Sequence, residues 1–177
     1  NRVNQYGLTE PNIAPMGNER VLVELPGTSN RAEAERFVGR TALLEFQKVL
    51  KTAGPGESLQ ASGTGEEVLV GRKDEEGRQV KYLVEQEPMM TGNVLANAQV
   101  RTSQRARNPI IVSLDFTDEG AKKFASVVKQ LKPGEDRLAI VLDGIVQSAP
   151  VIQQSLRDRA ESTNKLDGAI IEGQFGS

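Results

Sequence analysis

The chain contains no cysteine, no histidine and no tryptophan in 177 residues. Without cysteine there are no disulfides, no thiolate nucleophile and no cysteine zinc site. The redox character of the compartment therefore leaves no mark on the sequence. Without histidine the commonest metal ligand and the usual general base are gone, and a Ser–His–Asp triad is excluded. Aromatic residues are scarce, at 4%, so a core has to be built from Val, Ile, Leu and Ala within an apolar fraction of 37%. Neither charge sign dominates: 22 Lys and Arg face 24 Asp and Glu, a net charge of -2. Nucleic acids and acidic membrane surfaces attract a basic surplus, which is missing. The longest unbroken aliphatic run is Leu138 to Leu142, far below the roughly 20 residues of a spanning helix. No internal repeat stands out and no signal-peptide pattern opens the sequence. The first residue is Asn1 rather than Met, as expected of a piece of a longer protein.

What is present is enough for one domain or two small ones, with about 70% of the unfolded surface buried on folding. Asn12 to Gly17, with Pro15 and Gly17, reads as a turn. Arg20 to Leu25 alternates apolar and polar residues and reads as a half-buried strand. Asn30 and Glu33 form a near capping box for a helix whose apolar face is Ala34, Phe37 and Val38, ending at Gly39. Ala42 to Val49 is the next strand, and the glycine-rich stretch Thr52 to Glu67 is a loop. Glu67 to Gly71 and Arg78 to Glu85 flank a charged run and predict a hairpin with a solvated tip.

The second half is denser. Pro109 to Phe116 predicts a strand, and Thr117 caps a helix with Asp118 and Glu119 in its first turn. Ala121, Phe124, Val128 and Leu131 fall on one face of that helix, which Pro133-Gly134 stops. Leu138 to Leu142 is apolar at every position and predicts a central strand covered on both faces. Asp143-Gly144 is a two-residue hairpin turn, and Ile145 to Ile152 is the returning strand. Pro150 places the end of that strand at an edge or bulge. A polar helix over Gln153 to Ala160 and a strand over Ala169 to Glu172 follow.

The chemical motifs are few. Gly63-Thr-Gly65 lacks both the third glycine and the lysine of a phosphate loop, so it is a plain turn. Asp115, Glu119 and Asp143 are the best carboxylate pairings for hydrolysis. Glu119 suits a helix start and Asp143 suits a turn, so no catalytic or metal site is expected.

An ordered set of segments resembles the SecD family of protein-export membrane proteins. The set comprises Asn1 to Gln5, Glu10-Pro11, Val23 to Gly27, Leu44-Glu-Phe46, Thr91-Gly92, Phe116 with Glu119 to Lys122, Leu138 to Gly144 and Ser148 to Ile152. The resemblance implies the extracytoplasmic (periplasmic) domain of a multi-pass membrane protein, soluble when cut from its anchors. It implies an α+β fold: an incomplete, partial ferredoxin-like base plus an α+β head subdomain with antiparallel hairpins. The implied division is base over 1–50, connection over 51–90, head over 91–166 and a return segment over 167–177. The implied partners are SecF, the SecYEG channel and the unfolded preprotein, with no nucleic acid, no cofactor and no enzymatic activity. Proton flow through the parent's membrane part would drive head against base.

A surface that handles unfolded chains needs adaptable apolar side chains. Met89 and Met90 fit that need, and Val146, Val151 and Ile152 on the head hairpin are a second group. Core packing is the plainer role for both. Head motion needs hinges, expected at Pro88 to Gly92 and at Asp167-Gly168. The alternative function is an extracytoplasmic small-ligand or carbohydrate binding domain without a transport role.

Overall fold

The computed structural model describes residues 12–16, 20–25, 43–73, 76–102 and 110–173. Its elements, in chain order, begin with β1 (Asn12–Met16), β2 (Arg20–Leu25), β3 (Leu44–Ala53), β4 (Glu66–Gly71), β5 (Lys81–Glu85) and β6 (Met90–Thr91). A 3-10 turn (Gly92–Val94) leads into β7 (Leu95–Thr102), β8 (Ile110–Phe116) and helix α1 (Asp118–Gln130). Then come β9 (Arg137–Leu142), β10 (Ile145–Ser148), β11 (Val151–Ile152), helix α2 (Gln154–Thr163) and β12 (Gly168–Gly173). This is the α+β class expected from the sequence.

Local chemistry explains most of these elements. Thr117 caps α1, its hydroxyl accepting from Gly120 N at 3.0 Å. Asp118 and Glu119 stand at the positive end of the helix dipole. The predicted face of Ala121, Phe124, Val128 and Leu131 is buried. Asp143 and Gly144 both take positive φ, 52° and 76°, as a two-residue hairpin turn demands. β4 and β5 form the expected hairpin, Glu66 opposite Glu85 and Val70 opposite Lys81.

β9 organises the molecule. One edge of β9 pairs with β3, Leu44 opposite Leu142 through Val49 opposite Arg137. The other edge pairs first with β10 and then, past Pro150, with β11. The expected irregularity near Pro150 is a register shift between Val146 and Ser148 followed by a break into two strands. Because β3 also pairs with β5, β5 with β4, and β4 with β10, five strands close a ring: β3-β5-β4-β10-β9. From β11 the sheet runs on through β1, β2, β12, β8 and β7.

Two cores lie on opposite sides of β9. Leu138, Ile140 and Leu142 join the core under α1 and α2, with Leu44, Phe46, Leu114, Phe116, Phe124 and Leu156. Ala139 and Val141 join the ring interior, with Val49, Val84, Val146 and Ala149. Three of the chain's five phenylalanines meet in the first core. Phe116 and Phe124 are 4.9 Å apart there, and Phe46 lies 6.4 Å and 6.2 Å from them.

The structure corrects two readings. Asn12 to Met16 is a strand, not a turn: β1 pairs antiparallel with β2 and, at Asn12 and Ile13, parallel with β11. Pro15 lies beyond the β11 pairing, where a missing N–H breaks no ladder on that edge. β7, which the sequence did not mark, pairs with β8 from Leu95 to Thr102. The helix expected over residues 30–39 lies outside the described residues.

Candidate functional site

β6 brings the methionine pair against β3, where Met90 stands opposite Phe46 and Met89 N donates to the Phe46 carbonyl at 2.8 Å. Met90 is 1% exposed and belongs to the phenylalanine core, while Met89 packs on that core from its margin. Ile152 is buried in the same core and Val146 in the ring interior, and Val151 is half-buried on β11. Among the five contact candidates, Met89 and Val151 keep solvent-facing surface.

The exposed apolar side chains lie elsewhere. Leu43 is 52% exposed, Leu50 42%, Ile145 41% and Val70 37%. Leu50 sits at the register shift of β3 against β5. Ile145 and Val70 are register partners across β10 and β4 and therefore neighbours on one face. Ile145 is also opposite Leu142, which is opposite Leu44, so an aliphatic row crosses four strands and emerges at Ile145 and Val70. Leu43 lines a cavity of about 280 Å³ with Leu44, Glu45, Thr91, Asp143 and Gly144.

The turn that follows one expected hinge stretch and the other stretch itself meet the start of α1. Gly92 is buried and opens the 3-10 turn, whose Val94 carbonyl accepts from Thr117 N at 2.9 Å and from the Thr117 hydroxyl at 3.2 Å. One residue earlier, Phe116 N donates to the Asp167 carbonyl at 2.9 Å. Leu166 N donates to the Ala121 carbonyl at 3.1 Å. Pro88 is half-buried, and Gly168 begins β12 between Arg20 of β2 and Asp115 of β8. Lys165 joins these parts electrostatically, its Nζ lying 2.9 Å from Asp118 Oδ1 and 2.7 Å from Asp167 Oδ1. Hydrogen bonds to those two carboxylates raise the Lys165 ammonium above its ordinary value. The Lys165 hydrogen bond in turn holds the Asp118 carboxyl below its ordinary range. The sequence pointed to Asp167 but not to Lys165.

A third polar feature lies inside the ring. Gln47, 1% exposed, donates through Nε2 to Glu67 Oε1 at 2.7 Å and to the Glu85 and Gln86 carbonyls at 3.1 and 3.4 Å. Beside it Gly65, Glu85, Gln86 and Glu87 line a depression of about 460 Å³. The three carboxylates weighed for catalysis lie on different elements: Asp115 is in β8 opposite Asn97 and Gly168, Glu119 is exposed on α1, and Asp143 is in the hairpin turn. Among the described residues no group of three or more acidic side chains could hold a metal ion, and no helix is long and apolar enough to cross a membrane.

Comparison with known proteins gives consistent matches over both halves of the chain. The family model for the SecDF P1 head subdomain matches residues 66–175. The model for the N-terminal part of the P1 domain of protein translocase subunit SecDF matches residues 1–51. The protein translocase subunit SecD of Syntrophobacter fumaroxidans is 34% identical over 161 residues, covering 88% of this chain and 30% of the relative. The subunit SecDF of Thermus thermophilus is 39% identical over 160 residues, covering 88% of this chain and 21% of the relative. A solved structure described as a membrane component SecDF that enhances protein export is 34% identical, with 97% of this chain and 74% of that one covered and a TM-score of 0.47. The chain thus spans between 21% and 39% of the length of the curated relatives compared with it. It belongs to the SecD/SecDF family of protein translocase subunits, of which it represents the P1 domain with its head subdomain.

Proposed function

We propose that this domain works in Sec-dependent protein export on the extracytoplasmic side of the bacterial membrane. It contacts the emerging unfolded polypeptide, and its head moves against its base while the parent's membrane part conducts protons. Its partners are SecF, the SecYEG channel and the preprotein, and the work requires no catalysis by this domain. The observation that carries the reading is the match of the P1 head subdomain over residues 66–175. The bonds from Phe116 to Asp167, in one proposed hinge stretch, and from Thr117 to Val94, two residues past the other, support a coupling of the two stretches at the start of α1. Exposed Leu43, Leu50, Val70 and Ile145, with the half-buried Met89 and Val151, are the contact surface. Contact through Met90, Val146 or Ile152 requires local opening, because each is buried.

The test is a titration of a labelled, permanently unfolded secretory preprotein with this domain, read by fluorescence anisotropy against a folded control. Saturable binding to the unfolded chain alone is expected. No binding up to about millimolar, where association is worth only some 4 kcal/mol, overturns the contact. For the hinge, a disulfide pinning head to base in the full-length protein should block export and release it on reduction. Unchanged export with the crosslink fully formed removes the motion.

A further inference from the structure

The five-stranded ring has one short seam. β3 faces β9 from Leu44 to Val49, and β4 faces β5 from Glu66 to Val70. β4 and β10 meet only where Val70 lies opposite Ile145 and Gly71 opposite Val146. That pairing is parallel, the weaker geometry per residue. β10 then shifts register at once, between Val146 and Ser148. Across the seam Arg72 N donates to the Val146 carbonyl at 3.2 Å and Arg72 Nη1 to Gln147 Oε1 at 3.3 Å, both at the long end of the hydrogen-bond range. The outer side of the seam is the exposed pair Val70 and Ile145. The β4–β5 hairpin ends in a charged, solvated tip and is held to the rest of the ring on its other side by β5 against β3. Inside, Val49 and Val84 anchor that second attachment.

We propose that the ring opens along the β4–β10 seam, with the β4–β5 hairpin swinging as a flap about its β3 edge. The parted edges of β4 and β10 then accept an extended stretch of polypeptide as an added strand. The physical reason is main-chain accounting. Separated edges leave N–H and C=O groups without partners, and an extended chain supplies such partners whatever its sequence. Val70 and Ile145 flank the opening and favour a segment with apolar side chains on alternate positions. The strand-addition half of this inference rests on the export reading above, whereas the flap does not.

Hydrogen exchange on the unaltered domain tests the flap without any substitution. The Arg72 amide should exchange through local opening at least about a hundredfold faster than the amides that join β3 to β9. Exchange of both at the single rate of global unfolding overturns the flap. A Val70→Cys, Ile145→Cys pair, in a chain with no other thiol, should close the seam on oxidation and restore protection at Arg72. A lysine-capped peptide of alternating valine and threonine should slow Arg72 exchange in the unaltered domain and have no effect on the oxidised pair. Slowing by the peptide to the same degree in both forms, or in neither, overturns strand addition. The labelled preprotein separates this outcome from the broader one. Equal binding by oxidised and unaltered domains puts the contact elsewhere and leaves the export reading standing, and binding by neither removes both.

Discussion

The two cores flanking β9 are built on opposite rules. Under the helices, large side chains interlock: three phenylalanines with Leu44, Leu138, Ile140 and Met90 around α1. Inside the ring the buried apolar side chains are small, Val49, Val84, Ala139, Val141, Val146 and Ala149, with Leu69 and the single ring of Tyr82 packed against them and a fully buried Gln47 beside them. No aromatic cluster forms there, and closure rests on backbone pairing more than on interlocked large side chains. The helix-covered core gains its stability from packing. One half of the molecule should therefore be sensitive to lost volume and the other to lost pairing.

The sharpest test of that contrast truncates the middle of the aromatic cluster. Phe124→Ala should cost about 3–5 kcal/mol, as for other buried aromatic truncations, measured by urea unfolding. Val141→Ala in the ring should cost about 1–2 kcal/mol. Equal losses would mean that the ring packs as tightly as the helix layer.

The next test adds volume. A Cβ at Gly120 would lie 2.4 Å from the Val94 carbonyl oxygen, where α1 docks on the 3-10 turn, and backbone must move to admit it. A Cβ at Gly71 would lie 3.0 Å from the Tyr82 ring and 3.3 Å from the Val80 carbonyl. Gly120→Ala should cost about 3 kcal/mol and Gly71→Ala about 1 kcal/mol, again by urea unfolding. The reverse order would make the ring the stiffer body.

The contrast also explains what could be read from the sequence. Leu138 to Leu142 is apolar at every position because alternate residues serve the two cores, and that double burial was legible. So were the α1 cap, the Asp143-Gly144 turn and the β4–β5 hairpin, since each is a local device. Ring closure was not legible. It depends on β3 meeting both β5 and β9, and on β4 meeting β10, and nothing in a strand's own residues encodes those partners. β7, Leu-Ala-Asn-Ala-Gln-Val-Arg-Thr, is poor in β-favouring residues and is a strand through its pairing with β8. Of the candidate site, the sequence marks the proposed hinge stretches only by their glycine, proline and aspartate. The exposed Val70 and Ile145 acquire meaning only from their register.

Gln47 tests whether polar pairing matters inside the ring. Gln47→Met keeps the approximate volume and removes three hydrogen bonds to β4, β5 and the residue that follows β5. A loss of about 2 kcal/mol is expected, with the Glu85 and Gln86 amides exchanging faster. A stabilised Gln47→Met would mean that the ring tolerates a purely apolar filling and that Gln47 Oε1, which has no hydrogen-bond partner among the described residues, dominates the balance.

The smallest expected effect belongs to neither core but to the Lys165 clasp between α1 and the segment entering β12. Asp118 is lowered by the Lys165 hydrogen bond, so its contribution is present above the unfolded carboxyl value and is lost as pH falls through the folded one. Lys165 is raised, so its contribution is present below its unfolded value near 10.5 and is lost as pH rises beyond it. Both groups are open to solvent and screened by salt. Lys165→Met should therefore lower stability slightly across the neutral region, where both groups are charged, and leave the acid and alkaline extremes unchanged, so that the profile is flatter. Added salt should flatten the unaltered protein in the same way. Full pH dependence in Lys165→Met would assign it to other groups. Such a result would leave the connection between α1 and the segment entering β12 to the backbone bonds from Phe116 to Asp167 and from Leu166 to Ala121.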